Sequence, residues 1–300
     1  MRILITGGTG SLGSVLVKEW TKQGHELTVL SRNPHRQAAL AKDFPDVRFV
    51  LTDICNYPDV WRACAGQDWC IHTAALKQVD VGEYHPGEFI RVNVQGTIDL
   101  TQAWAVTHPT IGKSHILGIS SDKATAPINS YGRTKGLMEA VIRKVGGSCV
   151  RYGNVVESAG SFYQIWKINA DKYGVIQVRI PEPTRFLLTL SDAVAIVEDA
   201  MRLVEGGDEG IYVPHNLRAF SLHDVAKWFA KKYSCEIEYE LLLPYEKVNE
   251  RLVADGELPV SVSPILSKIV PGWGQDISNF QSDKAERVTA SDIARILQWS

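Results

Sequence analysis

The sequence is poor in the features that would put it in a special class. Its five cysteines, Cys55, Cys64, Cys70, Cys149 and Cys235, are odd in number and lack CxxC spacing. That excludes a disulfide framework and a cysteine-rich metal finger, and thiols lying in apolar runs suit a reducing cytoplasm with no bound metal. No apolar stretch reaches the roughly 18 residues of a membrane span. Met1-Arg2-Ile3-Leu4-Ile5-Thr6 runs straight into glycines, too short for the apolar core of a signal peptide. Blocks of like charge are also missing: 32 Lys and Arg are scattered among 34 Asp and Glu, for a formal net charge of -2. This argues against a nucleic-acid track and an anionic membrane surface, leaving a small molecule as the expected partner. There is no internal repeat and no low-complexity linker.

What is present is ordinary globular chemistry: 300 residues, 45% hydrophobic and 22% charged, enough for a large domain with a small lobe. From Arg2 to Tyr152 short apolar runs alternate with longer amphipathic stretches, the pattern of βα units building a parallel sheet. Six strands are expected at Ile3-Leu4-Ile5, Leu27 to Leu30, Val47 to Val50, Trp69-Cys70-Ile71, Ile116 to Ile119 and Cys149-Val150. Ser11 to Gln23 and Pro86 to Thr107 have helical length and period. After Tyr152 the rhythm is irregular, with a further helix from Ser191, a strand at Gly210 to Val213, and a helix from Ser221, whose hydroxyl suits its N-cap. The fold class is therefore α/β: a Rossmann-type doubly wound parallel sheet over 1–152. A small mixed C-terminal lobe over 153–300 mainly binds substrate and returns some segments to the core.

Gly7-Gly8-Thr9-Gly10-Ser11-Leu12-Gly13 follows the first strand and opens the first helix. Glycines at 7, 10 and 13 let the backbone approach a pyrophosphate, and the helix N-terminus supplies amides and a favourable dipole. At the end of the second strand, where Asp or Glu would read a ribose 2′-hydroxyl, stands Ser31-Arg32-Asn33. An arginine there suits a 2′-phosphate, so NADP is expected ahead of NAD. Asp53, followed by Ile54, is placed to meet the adenine edge or to cap the helix from Tyr57; position alone leaves both open.

Tyr131-Gly132-Arg133-Thr134-Lys135 is a YxxxK pair opening the helix after the fifth strand. The i, i+4 spacing puts both side chains on one face. The ammonium can then lower the phenol's pKa and bind a nicotinamide ribose while the phenolate removes a hydroxyl proton. Ser121-Asp122-Lys123 lies at the tip of the fifth strand, where open parallel sheets place ligands, and offers more acid-base groups than a plain dehydrogenase needs.

Several stretches together carry a family resemblance: His72-Thr73-Ala74-Ala75-Leu76-Lys77, Asn93-Val94-Gln95-Gly96-Thr97, Ser120-Ser121-Asp122-Lys123-Ala124, Pro127 through Lys135, and Arg151-Tyr152-Gly153-Asn154-Val155. They resemble the polysaccharide-biosynthesis branch of the extended short-chain dehydrogenases, and in particular the soluble inverting UDP-N-acetylglucosamine 4,6-dehydratases. The similarity continues through Thr184-Arg185-Phe186 and Pro244-Tyr245-Glu246-Lys247-Val248-Asn249-Glu250, and ends in Ser282-Asp283 with a terminal helix.

The resemblance implies a redox-neutral dehydration of a UDP-sugar. Tyr131 with Lys135 would take the C4 hydroxyl proton, Lys123 the C5 proton, and Asp122 would protonate the departing C6 hydroxyl. Ser121 would offer its hydroxyl to the sugar. Asn154, Arg185, Lys77, Glu246 and Glu250 would hold the substrate, Arg185 at the diphosphate. Ala74, Ala75, Lys77 and Asn93 would join Gly7, Thr9, Gly10, Ser11, Leu12, Gly13, Ser31, Arg32, Asp53, Ile54, Tyr131 and Lys135 around the cofactor. A homo-oligomer is expected. Glu157-Ser158-Ala159-Gly160-Ser161 departs from the family's GSRGS-like motif, and Tyr245 and Asn249 replace a Gly and a His. These changes bear on substrate identity. Two other readings stand beside the dehydratase: a nucleotide-sugar epimerase, which has no need of Asp122-Lys123, and a non-catalytic NADP sensor, which has no need of YxxxK.

Overall fold

The computed structural model describes residues 1–109, 115–156, 158–274 and 276–289, with 292 and 296. Glu157 and the expected terminal helix lie outside the described residues. The first half runs β1 (Arg2–Thr6), α1 (Ser11–Lys22), β2 (Glu26–Ser31), α2 (Pro34–Asp43), β3 (Arg48–Leu51), α3 (Tyr57–Cys64) and β4 (Trp69–His72). It continues with α4 (Val79–Tyr84), α5 (Pro86–Phe89), a π-helical turn (Ile90–Gln95), α6 (Gly96–Thr107), β5 (Ile116–Ile119), a 3₁₀ turn (Asp122–Ala124), α7 (Ser130–Lys144) and β6 (Ser148–Val150).

These six strands are parallel, in the order β3-β2-β1-β4-β5-β6. The chain builds outward from β1 in one direction, then returns to build in the other. The gap between the loops after β1 and β4 is therefore the switch point at which such sheets hold ligands.

Strand alternation explains the two-sided core. Ile3 and Ile5 face a layer containing Leu16, Val17 and Trp20 of α1, whereas Leu4 faces Val60 of α3, Leu100 and Trp104 of α6, and Met138 and Ile142 of α7. Both faces are covered, so the strands read as continuous apolar runs rather than alternating ones. Each such fully buried Leu or Ile contributes about 1.5–3 kcal/mol relative to exposure.

The second half comprises β7 (Asn154–Val155), α8 (Phe162–Tyr173), β8 (Val175–Ile180), β9 (Thr184–Leu188), α9 (Leu190–Glu205), β10 (Ile211–Pro214), β11 (Ala219–Ser221), α10 (Leu222–Tyr233), β12 (Glu236–Leu241), β13 (Glu257–Ser261) and β14 (Leu266–Pro271). Part of it returns to the main sheet: β10 pairs with β6, and the antiparallel β14 and β13 follow. α9 packs beside α1 on the Trp20 face of the sheet. The rest forms the lobe, with sheets β11-β9-β7 and β12-β8 around Tyr163, Trp166, Phe220 and Phe229.

Ser221 caps α10 as expected, its side chain accepting from the Asp224 N–H. Pro86 to Thr107 is not one regular helix: a π turn interrupts it, the kind of local widening frequent at functional sites. The β13–β14 hairpin was not legible because Pro259 and Pro271 argue against strands. β13 tolerates Pro259 as the outermost strand of the sheet.

Candidate active site

A cleft of about 350 Å³ opens at the switch point, lined by Gly7, Thr9, Gly10, Ser31, Arg32, Asp53, Ile54, Ala74 and Ala75 from the loops after β1 to β4. Gly7 has φ +69°, and a Cβ there would lie 2.7 Å from Ala74 Cα, so the loop exists only with glycine. Gly10 is the N-cap of α1 and provides no side-chain cap, which leaves the first amides of the helix open to an anion. Gly13 and Leu12 are buried beneath the loop; a Cβ on Gly13 would meet Gly8 Cα at 2.5 Å. Ser11 Oγ accepts from the Ala159 N–H at 2.9 Å, tying the glycine loop to the lobe.

Arg32 is exposed at the cleft edge, 3.7 Å from Asp53, and Arg36 of α2 lines the same end. Sequence reasoning missed Arg36, although it lies one helical turn beyond Arg32. Asp53 does not cap α3, whose N-cap is Asn56. Its carboxylate accepts from the Cys55 N–H at 3.0 Å and pairs with Arg91 at 3.3 Å. Partial burial opposes ionisation there, but these bonds outweigh it and hold Asp53 below the usual carboxylate range.

Asn93, expected at the cofactor, braces the loop that lines the cleft. Its Oδ1 accepts from the Leu76 N–H at 2.8 Å, and its Nδ2 donates to the Leu76 carbonyl at 2.9 Å and to Thr134 Oγ1 at 3.1 Å. Lys77 is open to solvent by surface area, yet the surrounding walls strip enough water to lower its ammonium pKa.

The acid-base groups gather where the 3₁₀ turn meets α7. Asn129 caps α7 by accepting from the Gly132 N–H, and Glu83 accepts from the Ser130 N–H at 2.6 Å, fixing the turn that carries Tyr131. Ser121 donates to Asp122 Oδ1 at 2.9 Å and eases ionisation of the nearby Tyr131 phenol. Lys123 Nζ lies 3.1 Å from Asp122 Oδ1 and 3.1 Å from Glu250 Oε1. Burial pushes the Asp122 carboxyl up, with Glu250 adding and Lys123 opposing, and its Oδ2 is buried without a partner. Burial likewise raises the Tyr131 phenol, against the pull of Lys123 and Ser121.

The two lysines sit in different surroundings. Lys123 favours the ionised Tyr131 phenol. The buried Lys135 ammonium donates to the Ile119 carbonyl at the strand end and to Met138 Sδ, and burial lowers it to about 8. Lys123 is not poised as a neutral base: burial would favour the amine, but two flanking carboxylates hold the ammonium above its ordinary value.

The residues expected to hold the substrate also divide. Glu250 joins the buried acid-base cluster through its pair with Lys123. Glu246 is turned away, paired with Arg179 at 3.0 Å and accepting from the Leu243 N–H. Arg185 spends three N–H groups on the carbonyls of Thr184, Val248 and Lys247, bracing the segment that carries Glu250. Asn154 keeps a buried, unpartnered Oδ1.

Beneath the site, Arg151 makes paired bonds to Glu139 of α7 and to Glu257 at the start of β13, while Ser120 donates to Glu139. Only the Arg151 motif hinted at this network; its partners lie too far along the chain to be matched from spacing.

A 223-residue stretch is 36% identical to a UDP-glucose 4-epimerase of Rickettsia conorii, covering 69% of this chain; the chain spans 64% of that relative's length. The fold superposes on the X-ray structure of Pen from Bacillus thuringiensis with a TM-score of 0.87 and 25% identity, covering 100% of this chain and 97% of that one. DesIV of Streptomyces venezuelae, a dTDP-glucose 4,6-dehydratase solved with NAD and TYD, shares the fold at a TM-score of 0.74 and 18% identity, covering 100% and 96%. Residues 3–264 match the family described as polysaccharide biosynthesis protein, and the chain belongs to that family, on a Rossmann-type short-chain dehydrogenase/reductase fold.

Proposed function

We propose that the protein is an NADP-dependent UDP-N-acetylglucosamine 4,6-dehydratase that inverts C5. The observation that carries this reading is the meeting of Tyr131, Ser121, Asp122 and Lys123 in one buried cluster at the tip of β5. A hydride-shuttling epimerase requires only the tyrosine and its lysine, whereas elimination of water also requires an acid for the leaving oxygen.

The cleft fits a dinucleotide, because the glycine cradle has no room for a Cβ and the first amides of α1 are open. Arg32 and Arg36 favour a 2′-phosphate. A dinucleotide held there by the glycine cradle, Arg32 and Arg36 would supply hydride-transfer chemistry to the sugar. Tyr131 takes the C4 hydroxyl proton, with the Lys123 ammonium stabilising the phenolate. Asp122, its carboxyl pushed up by burial, gives a proton to the C6 oxygen through the otherwise unpartnered Oδ2. Lys135 holds the ribose, and Asn154 offers a free acceptor to the sugar.

Incubation with UDP-N-acetylglucosamine followed by mass spectrometry tests the reading. Loss of one water is expected. The name of the Rickettsia relative favours a 4-epimerase as the second reading, and a product of unchanged mass with inverted C4 would establish it instead.

A further inference from the structure

After β12 the chain leaves the lobe and runs past the acid-base cluster as a strap, residues 244–250. It is fastened to β9. The Thr184 N–H donates to the Val248 carbonyl at 2.9 Å, the Thr184 hydroxyl donates to Asn249 Oδ1 at 2.9 Å, and Arg185 donates to the Lys247 and Val248 carbonyls. Other bonds tie the same strap to the catalytic corner. Asn129, which caps α7, donates from Nδ2 to the Tyr245 carbonyl at 3.0 Å, Lys247 Nζ donates to the Thr125 carbonyl at 2.6 Å, and Glu250 Oε1 lies 3.1 Å from Lys123 Nζ.

Lys247 is the link that reaches two of these partners at once. Its side chain is 12% exposed, and the ammonium that holds the Thr125 carbonyl also lies 3.5 Å from Glu250 Oε2. Thr125 closes the 3₁₀ turn, its N–H donating to the Asp122 carbonyl at 3.3 Å. Charges therefore alternate along one line of contacts, from Asp122 to Lys123, Glu250 and Lys247. Glu250 is held on one oxygen by Lys123 and on the other by Lys247, and removing one member of a buried charge pair strands the other.

We propose that Lys247 is a positioning residue: through Thr125 and Glu250 it fixes the 3₁₀ turn against the strap, and so sets where Asp122 and Lys123 stand relative to Tyr131. Lys247 acts through the turn and not on the sugar. The inference rests on the proposed function only for the substrate of one assay. The cofactor cleft is built by the loops after β1 to β4, to which Lys247 does not belong. Its loss should therefore displace the acid-base groups and spare cofactor binding, and a displacement near 1 Å costs about 10²-fold in rate.

The test compares Lys247→Met and Lys247→Arg with the unmodified full chain in two measurements. Amide hydrogen exchange, read by mass spectrometry on peptides from the turn and from α7, needs no substrate. Lys247→Met should exchange about tenfold faster at the turn with α7 unchanged, and Lys247→Arg, which keeps a charged donor, should stay within about threefold of the unmodified protein. Turnover of UDP-N-acetylglucosamine is counted as loss of water or as inversion at C4. In Lys247→Met kcat should fall about 10²-fold while KM and NADP affinity change less than about threefold, and Lys247→Arg should regain about tenfold or more of the loss. Normal exchange at the turn in Lys247→Met, a normal kcat, or equal losses in the two variants would each overturn the assignment. A loss confined to KM would also overturn it, by making Lys247 a substrate contact. Should Lys247→Met not fold, Lys247→Gln, shorter and uncharged, takes its place in both measurements. An unmodified protein that leaves UDP-N-acetylglucosamine unchanged rejects the proposed function alone, and exchange at the turn then decides for Lys247.

Discussion

Single side chains set cofactor choice in this fold. Ser31 ends β2 without a carboxylate, and the next residue, Arg32, stands exposed at the cleft edge, with Arg36 one turn further on. A charge-assisted contact to a 2′-phosphate is worth about 1–3 kcal/mol. NADP is therefore expected to bind more tightly than NAD, with Arg32→Ala removing most of the difference, as titration calorimetry of both cofactors would register. Equal affinities in the unmodified protein would reject the role. This end of the site was legible because chain position decides it: Arg32 follows a strand whose end always faces the ribose. Glu250 was not, because its partner Lys123 lies in a distant segment and only folding brings the two to 3.1 Å. Lys135 shows the limit of local rules: helix spacing puts it on the Tyr131 face, but the buried ammonium is satisfied by the Ile119 carbonyl instead.

At the level of elements, the site depends on how closely α7 approaches the 3₁₀ turn. A Cβ at Gly132 would lie 2.1 Å from the Lys123 carbonyl oxygen and 3.1 Å from Pro127 Cβ, so contact at this point requires a hydrogen. Gly132→Ala would push Tyr131 away from Ser121 and Asp122. A displacement near 1 Å costs catalysis about 10²-fold, and overpacking costs about 1–3 kcal/mol of stability. Gly136→Ala, on the same helix with its nearest atom at 3.7 Å, is the control. It should keep full activity and melt no lower, since alanine is the better helix former by about 1 kcal/mol. Turnover assays and thermal melts of the pair check both, and equal activity in the two variants would show that the close approach is dispensable. The six parallel strands of the first half and α1 were readable from the apolar pattern, because both faces of that sheet are buried. The π turn and the β13–β14 hairpin were not. Asn93's grip on the Leu76 backbone accompanies the first, and the outer-edge position that tolerates Pro259 allows the second; both are tertiary facts.

For the whole molecule, the centre of the sheet carries a titratable group that the chemistry does not use. His72 ends β4 at 1% exposure, with Nδ1 2.7 Å from Thr6 Oγ1 of β1 and Nε2 3.0 Å from Thr97 Oγ1 of α6. Thr97 donates its hydroxyl hydrogen to the Asn93 carbonyl, so Nε2 must carry the ring proton, leaving Nδ1 to accept from Thr6. A second proton on Nδ1 would oppose the Thr6 donor at a fully buried position, and Lys135 adds a like charge. Burial chiefly, and that lysine second, lower His72 to about 3. The folded value lies below the unfolded one near 6.5, so the unfolded chain binds the extra proton first, and stability falls as pH drops from about 6.5 toward 3. Between pH 7 and pH 5 the loss from this residue is about 2 kcal/mol. Asp53 and Glu250, held below the usual carboxylate range, weaken the fold only at lower pH, and Lys135 contributes to the slope only above about pH 8. His25 is shifted in the same direction as His72 but is partly exposed and adds little. Burial-raised Asp122 acts in the opposite direction and alike in both proteins, so urea unfolding at pH 7 and pH 5 should show the unmodified protein losing about 2 kcal/mol more than His72→Asn over that interval, whatever the substitution costs at pH 7. The same slope in both proteins would place the proton uptake elsewhere in the molecule.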